Sequence, residues 1–257
     1  PGKGGYPTRI RHLAKNLDPS IPVYALQDLS QPGSNRAVRS IETIASLYLN
    51  EIRKITPHGP YLLVGESLGG KIAFEIAQQL RKINEPEPLL LMLDTYNFSK
   101  EPDSKPIGLI DKLSYYWMLL QKHTTILVKS NWQGKKDYLV FYREIILSKL
   151  KRLAVNRTRR RRIQKNDRGF LPENVSDLER DNLRASANYE VKSYPGTVIL
   201  FKATRGLRTE NPSNGWGQVE LGKLVIHPIE CYHGSILFEP AVSKLAVMIH
   251  SYLYTQE

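Results

Sequence analysis

The chain has 257 residues, a net charge of +12 and a single cysteine, Cys231. No apolar run approaches the roughly 18 to 20 residues that a membrane span needs, so we expect a soluble, cytoplasmic protein without a membrane partner. One cysteine excludes an internal disulfide and fits a reducing compartment. No nucleic-acid-binding motif accompanies the positive charge, which argues against a nucleic-acid partner.

Helices and strands are predicted to alternate through the first 94 residues. Ser40 is the expected cap of a strongly amphipathic helix, and each later strand in this part is a short, continuous apolar run. This alternation predicts a mainly parallel sheet flanked by helices, with right-handed crossovers. The predicted helices cover 6–17, 40–55 and 71–83, and the predicted strands cover 22–27, 61–65 and 88–94.

A long insertion then interrupts the alternation, because 102 residues separate Asp94 from Thr197. A crossover needs only about a dozen residues. We expect helices near 107–122, 137–164 and 173–190, then strands at 197–203 and 223–229 and a last helix at 240–253. The predicted organisation is one domain over 1–257, with a core of 1–94 and 191–257 and a helical lid of 95–190.

A basic stretch, residues 149–168, holds ten Lys/Arg and one Asp and so carries +9 of the net +12. It contains no aromatic residue. A solvated helix face and a docking patch for an acidic partner both fit this pattern, and nucleic-acid binding fits it less well.

The pattern Gly65-Glu66-Ser67-Leu68-Gly69 lies between a buried strand and an amphipathic helix. A sharp strand-to-helix turn with flanking glycines presents the central serine at its tip, above a helix N-terminus. We therefore predict that Ser67 is a nucleophile and that the Leu68 N–H stabilises the oxyanion. The alternative is an ordinary turn with a serine in it.

A serine nucleophile needs a histidine base, and His233 is the favoured candidate because it follows the last strand in a loop. His227 lies within a strand pattern, His250 lies in a helix, and His123 lies in the insertion. The expected position of His233, at the carboxyl end of the sheet, would allow it to reach Ser67. A surface-loop histidine is the alternative.

The orienting carboxylate is predicted to be Asp94, which ends the strand one βα unit after Ser67. Glu210 lies some way beyond the strand at 197–203, and Asp28 precedes the serine. A helix-capping role is the alternative for Asp94. Cys231 is expected to be a half-buried thiol without a catalytic role.

Three stretches of the sequence resemble the type I thioesterase domains of nonribosomal peptide synthetases and polyketide synthases. They are "GPYLLVGESLGGKIAFEIAQQL", "LLLMLDTY" and "GW…LVIHPIECYHGSILFEP". The resemblance implies an α/β-hydrolase fold. It also implies an acyl, peptidyl or polyketide chain delivered on the phosphopantetheine of a carrier domain and released by hydrolysis or cyclisation. No cofactor bound by this domain and no metal are expected. The opening at Pro1 lacks an initiator Met, so we expect the chain to be a piece of a longer polypeptide, and the resemblance implies that a carrier domain lies upstream in it.

"PGKGGY" is similar to the family's His-Pro-x-Gly-Gly loop, although the His is absent. That likeness implies that the Lys3 N–H is the second oxyanion donor. Tyr116 and Trp117, in the insertion, are predicted to line an acyl channel; packing of lid helices is their alternative role. A freestanding editing thioesterase, a carboxylesterase or lipase, and an inactive hydrolase-fold binding module remain alternative functions.

Overall fold

The computed structural model describes residues 7, 9–28, 39–97, 177–205 and 211–254, which all belong to one compact unit. The described helices are α1 (Ile10–Ala14), α2 (Ile41–Ile55), α3 (Leu68–Lys82), α4 (Asp177–Asn188) and α5 (Ala241–Tyr254). The described strands are β1 (Leu62–Glu66), β2 (Leu89–Leu93), β3 (Tyr194–Arg205) and β4 (Leu221–Tyr232). Short 3₁₀ turns occupy Trp216–Gln218 and His233–Ser235.

The four described strands form one parallel sheet in the order β1-β2-β3-β4. Glu66 pairs with Leu93, and Leu93 pairs with Phe201, so the carboxyl ends of β1 and β2 lie level beside β3. Parallel strands bring the loops that follow them to the same edge. The predicted parallel sheet is confirmed, and the segments after β1, β2 and β4 meet at this edge.

Helices cover both faces of the sheet, as the continuous apolar strands require. Alternate residues of β2 point to opposite sides: Leu90 and Met92 pack with α2 and α3, whereas Leu91 and Leu93 pack with α1 and α5. All four side chains are fully buried. This two-sided core holds the sheet edge that carries the site. Among the described helices, none combines the length and the apolar character that crossing a bilayer requires.

Most predicted elements are confirmed within a few residues. The Ser40 Oγ caps α2 by accepting a hydrogen bond from the Thr43 N–H at 3.2 Å. The last predicted helix of the insertion is present as α4, and the predicted helices near 107–122 and 137–164 lie outside the described residues.

Two predictions near the amino end are wrong in extent or in kind. The helix predicted at 6–17 is only five residues long, Ile10–Ala14. The residues predicted as a strand at 22–27 have no regular secondary structure and do not join the sheet of the described structure. Val23 and Tyr24 are 41% and 66% exposed, so little burial is available to fix this segment against the sheet.

Candidate active site

Ser67 occupies a strained turn of one residue between β1 and α3. Its φ of 53° and ψ of −117° fall in a region that L-residues rarely adopt. The Ser67 N–H donates to the Leu93 carbonyl at 2.9 Å, which ties the turn to β2. Leu68 is the first residue of α3, where backbone N–H groups have no acceptor within the helix.

The glycines around Ser67 allow the backbone to approach closely. A Cβ at Gly65 would lie 2.2 Å from the carbonyl oxygen of Gly69, and a Cβ at Gly70 would lie 1.8 Å from the Thr95 Oγ1. Neither distance is compatible with a side chain. The turn therefore depends on glycine at both positions, and α3 lies directly against the segment that leaves β2.

Asp94 follows β2 with a fully buried side chain and a left-handed φ of 44°. Four groups donate to its carboxylate. Oδ1 accepts from the Ala203 N–H at 3.1 Å and from Asn214 Nδ2 at 2.9 Å. Oδ2 accepts from the Tyr96 hydroxyl at 3.2 Å and lies 2.7 Å from His233 Nδ1. A buried carboxylate is compatible with the fold when donors replace its lost hydration, as they do here.

His233 is the first residue after β4 and begins a 3₁₀ turn in which the Tyr232 N–H donates to the Ser235 Oγ at 3.1 Å. A carboxylate can only accept, so the contact with Asp94 places the imidazole proton on Nδ1 and leaves a lone pair on Nε2. The ring is 44% exposed, which allows solvent or a ligand to reach that nitrogen.

Contacts of Arg9 hold the turn that begins at His233, the histidine loop, next to the turn at Ser67, the serine turn. Arg9 Nη2 forms an ion pair with Glu66, the residue before Ser67, and also donates to the carbonyl of Gly234 at 3.0 Å. The structure therefore brings the segments carrying Ser67, Asp94 and His233 together at the carboxyl edge of the sheet. That convergence is what the sequence predicted for these three residues.

The rejected histidines make structural contacts. His227 Nε2 lies 2.6 Å from the Tyr252 hydroxyl, its ring stacks on Phe201, and burial lowers its pKa. The His250 Nε2 accepts from the Asp18 N–H at 3.0 Å. His123 lies outside the described residues.

Asp28 and Cys231 take no part in the hydrogen bonds of Asp94 and His233 described above. Asp28 pairs with Arg39, and Glu210 lies outside the described residues. Burial raises the pKa of the Cys231 thiol to about 12, so the thiolate that a nucleophile requires is scarce at neutral pH. Lys3, Tyr116, Trp117 and the basic stretch 149–168 also lie outside the described residues.

Sequence reasoning missed Asn214 and Tyr96, which both donate to Asp94. Asn214 is fully buried, and with Gly215 it forms a left-handed turn with φ values of 51° and 86°. An Asn-Gly pair predicts such a turn, but its side-chain partner is 120 residues away in the chain. Trp216, also fully buried, donates its Nε1–H to the Thr95 carbonyl at 3.0 Å and so holds the segment after Asp94.

Known proteins are similar to this chain in sequence and in architecture. Residues 1–110 match the sequence model of the Thioesterase domain family. The vanchrobactin synthetase VabF of Vibrio anguillarum is 26% identical over 249 residues, which is 97% of this chain and 8% of VabF.

Two solved structures match over almost the whole chain. AB3403, a four-domain nonribosomal peptide synthetase, has a TM-score of 0.65 at 22% identity, covering 100% of this chain and 19% of AB3403. The NocB thioesterase domain, solved as a covalent complex with a fluorophosphonate nocardicin G analog, has a TM-score of 0.61 at 22% identity, with coverages of 98% and 91%.

The solved structures confirm the predicted α/β-hydrolase fold, with its parallel sheet between helices. The curated relative is a synthetase of which this chain spans only 8%. The fold and the match over residues 1–110 agree with the resemblance found in the sequence. Residues 1–110 thus match the Thioesterase domain family, and the chain has the fold of solved thioesterase domains.

Proposed function

We propose that this chain releases an acyl, peptidyl or polyketide chain from the phosphopantetheine arm of a carrier domain, with Ser67, His233 and Asp94 as catalytic triad. The observation that carries the proposal is the 2.7 Å contact between His233 Nδ1 and a fully buried Asp94, beside the strained turn of Ser67. Such an arrangement orients the imidazole and stabilises its protonated form.

The proposed reaction begins when the Ser67 Oγ attacks the thioester carbonyl carbon and its proton passes to His233 Nε2. The carbonyl oxygen becomes an oxyanion, for which the Leu68 N–H and the Lys3 N–H are the proposed donors. The carbon–sulfur bond then breaks, and the thiol leaves with the proton from His233. The acyl group remains on Ser67 as an ester.

Resolution of this ester repeats the same steps with a second nucleophile. Water gives hydrolysis, and an amine or hydroxyl of the bound chain gives cyclisation. In either case His233 takes the proton of the nucleophile and returns it to the Ser67 Oγ. Tyr116 and Trp117 are the proposed lining of the acyl channel.

The kinship to multidomain synthetases supports a carrier domain as partner, and we propose that it lies upstream in the same polypeptide. A freestanding editing thioesterase shares the core but has no such neighbour. A carboxylesterase or lipase would prefer oxygen esters. An inactive hydrolase-fold binding module would not react with a phosphonylating reagent.

Ser67→Ala is the direct test of the nucleophile. We expect release of a carrier-bound chain to fall by a factor of about a thousand or more in this variant, because it lacks the hydroxyl that the proposal requires to form the ester. A fluorophosphonate probe should label wild-type protein at Ser67, as located by mass spectrometry, and should not label Ser67→Ala. Turnover near the wild-type rate in Ser67→Ala would overturn the proposal. Faster turnover of oxygen esters than of matched thioesters would favour the esterase alternative.

A further inference from the structure

Arg9, which immediately precedes α1, makes three contacts with the two sides of the site. Its Nη2 pairs with Glu66 and donates to the Gly234 carbonyl at 3.0 Å. Its Cζ lies 5.6 Å from the centroid of the Phe238 ring, within the range of a cation–π contact. Glu66 is next to Ser67, and Gly234 is next to His233. One guanidinium thus joins the serine turn to the histidine loop.

Glu66 is not an ordinary surface carboxylate. Its side chain is 11% exposed, whereas that of Arg9 is 38% exposed. Burial raises the pKa of Glu66, and the positive charges of Arg9 and of protonated His233 oppose that rise. The carboxylate therefore interacts with the charge on His233 as well as with Arg9. An exposed ion pair contributes little, but removing Arg9 would leave the mostly buried carboxylate of Glu66 without this partner.

The charged and titratable groups around His233 come from several elements. Asp94, after β2, bonds to Nδ1, and the Tyr96 ring lies 5.6 Å from the imidazole. Glu66, at the end of β1, acts through its charge, and Arg9 contacts the backbone of the next residue, Gly234. Arg9 and Glu66 add one positive and one negative charge, so their effects on the imidazole oppose each other, and removing either residue alone leaves the other charge unbalanced.

We propose that Arg9 and Glu66 are positioning residues of the catalytic site: their ion pair fixes the histidine loop against the serine turn and balances the charge beside His233. This proposal rests on the function proposed above. Neither residue needs to touch the substrate for it. The proposed triad supplies the chemistry, and the pair determines where the imidazole lies and which charges are next to it.

The test is the pH dependence of the rate at which a fluorophosphonate labels Ser67 in the 257-residue chain. Labelling requires neutral His233, so the labelling rate falls at acidic pH. This acidic limb of the pH–rate profile reports the pH at which the imidazole becomes protonated. In Glu66→Gln the unbalanced Arg9 cation disfavours protonation, and we expect the limb to move down by about half a unit to one unit. In Arg9→Gln the unbalanced carboxylate favours protonation, and the limb should move up by a similar amount.

The double variant Arg9→Gln/Glu66→Gln should return the limb to within about 0.3 units of wild type, while its maximal labelling rate stays about tenfold lower because the connection between the loops is gone. Lys15→Gln removes one positive charge from an exposed residue at the end of α1 and should leave both the limb and the rate unchanged.

The proposal would be overturned if the acidic limb moved in the same direction in both single variants, or in neither. This holds even if both variants unfold at the wild-type temperature. Normal labelling of Ser67 in wild-type protein would then leave the proposed function intact. Failure of wild-type protein to label at Ser67 would instead contradict the proposed function itself.

Discussion

At the scale of single residues, Asn214 shows how a buried carboxylate depends on a side chain that sequence motifs do not reveal. It donates to Asp94 Oδ1 at 2.9 Å and, with Ala203, holds the oxygen that does not face His233. Its own φ of 51° restricts replacements to residues that tolerate left-handed backbone. Asn214 therefore combines a backbone requirement with a polar one.

Asn214→Asp keeps the size and the backbone tolerance but places a second carboxylate against Asp94. We expect kcat/KM for a small soluble thioester to fall about tenfold to a hundredfold at neutral pH, because like charges at hydrogen-bond distance are unfavourable and would disturb Asp94, the proposed orienting acid. Asn214→Gly, which also accepts the left-handed turn, is the matched control and should lose less. Wild-type kinetics in Asn214→Asp would contradict this role.

The sequence predicted Ser67, Asp94 and His233 because each follows a recognisable strand, and the order of strands in a parallel sheet brings such positions together. Asn214, Tyr96 and Arg9 could not be predicted in the same way. Their contacts depend on side-chain directions and on loops that approach one another only in the folded chain.

At the scale of elements, α3 connects the serine turn to α4 through a row of buried polar side chains. Lys71 Nζ donates to the Ser186 carbonyl at 3.0 Å, the Tyr189 hydroxyl donates to Glu75 at 2.7 Å, and Gln78 donates to the Lys192 and Ser193 carbonyls at 3.2 Å. Spacings of four and three residues place all three α3 side chains on one helix face. The helix that begins after Ser67 is thereby fixed to the segment that leads into β3.

Lys71 makes this contact dependent on pH. It is 4% exposed, and burial lowers its pKa from 10.5 to about 8. Between these values the unfolded chain binds a proton that the folded chain has released, so the free energy of unfolding should rise as pH increases from about 8 to 10.5. Over this pH window the free energy of unfolding of wild type should rise by about 3 kcal/mol more than that of Lys71→Met, as measured by denaturant unfolding.

Lys82→Met, at an exposed position on the same helix, is the control and should follow the wild-type pH dependence. Parallel stability curves for wild type and Lys71→Met would show that the buried ammonium does not titrate in this range.

Element prediction succeeded where one strong pattern governs a segment. The apolar runs of β1 and β2 and the stripe of α2 identified those elements directly. The segment at 22–27 also has the composition of a strand, but a strand exists only with a partner, and composition does not specify pairing.

At the scale of the whole molecule, the positive charge of the chain could attract an acidic carrier domain that delivers the substrate. The basic stretch 149–168 lies outside the described residues, so its proposed role as a docking patch for an acidic carrier domain rests on its composition. Reversing the charges of Arg159–Arg162 should weaken turnover of a carrier-bound chain about tenfold, and added salt should do the same, while a small soluble thioester is turned over normally. Equal losses on both substrates would count against docking.

The close approach of Gly70 to Thr95 limits how this molecule can be redesigned. Even a methyl group at residue 70 would overlap the threonine hydroxyl, with the Cβ only 1.8 Å from it. To relieve this overlap Thr95 would have to move away, but Thr95 directly follows Asp94 in the chain and its carbonyl accepts from the Trp216 indole. Mutant libraries of this protein should therefore leave residue 70 as glycine and vary positions farther from the junction of β2 and α3.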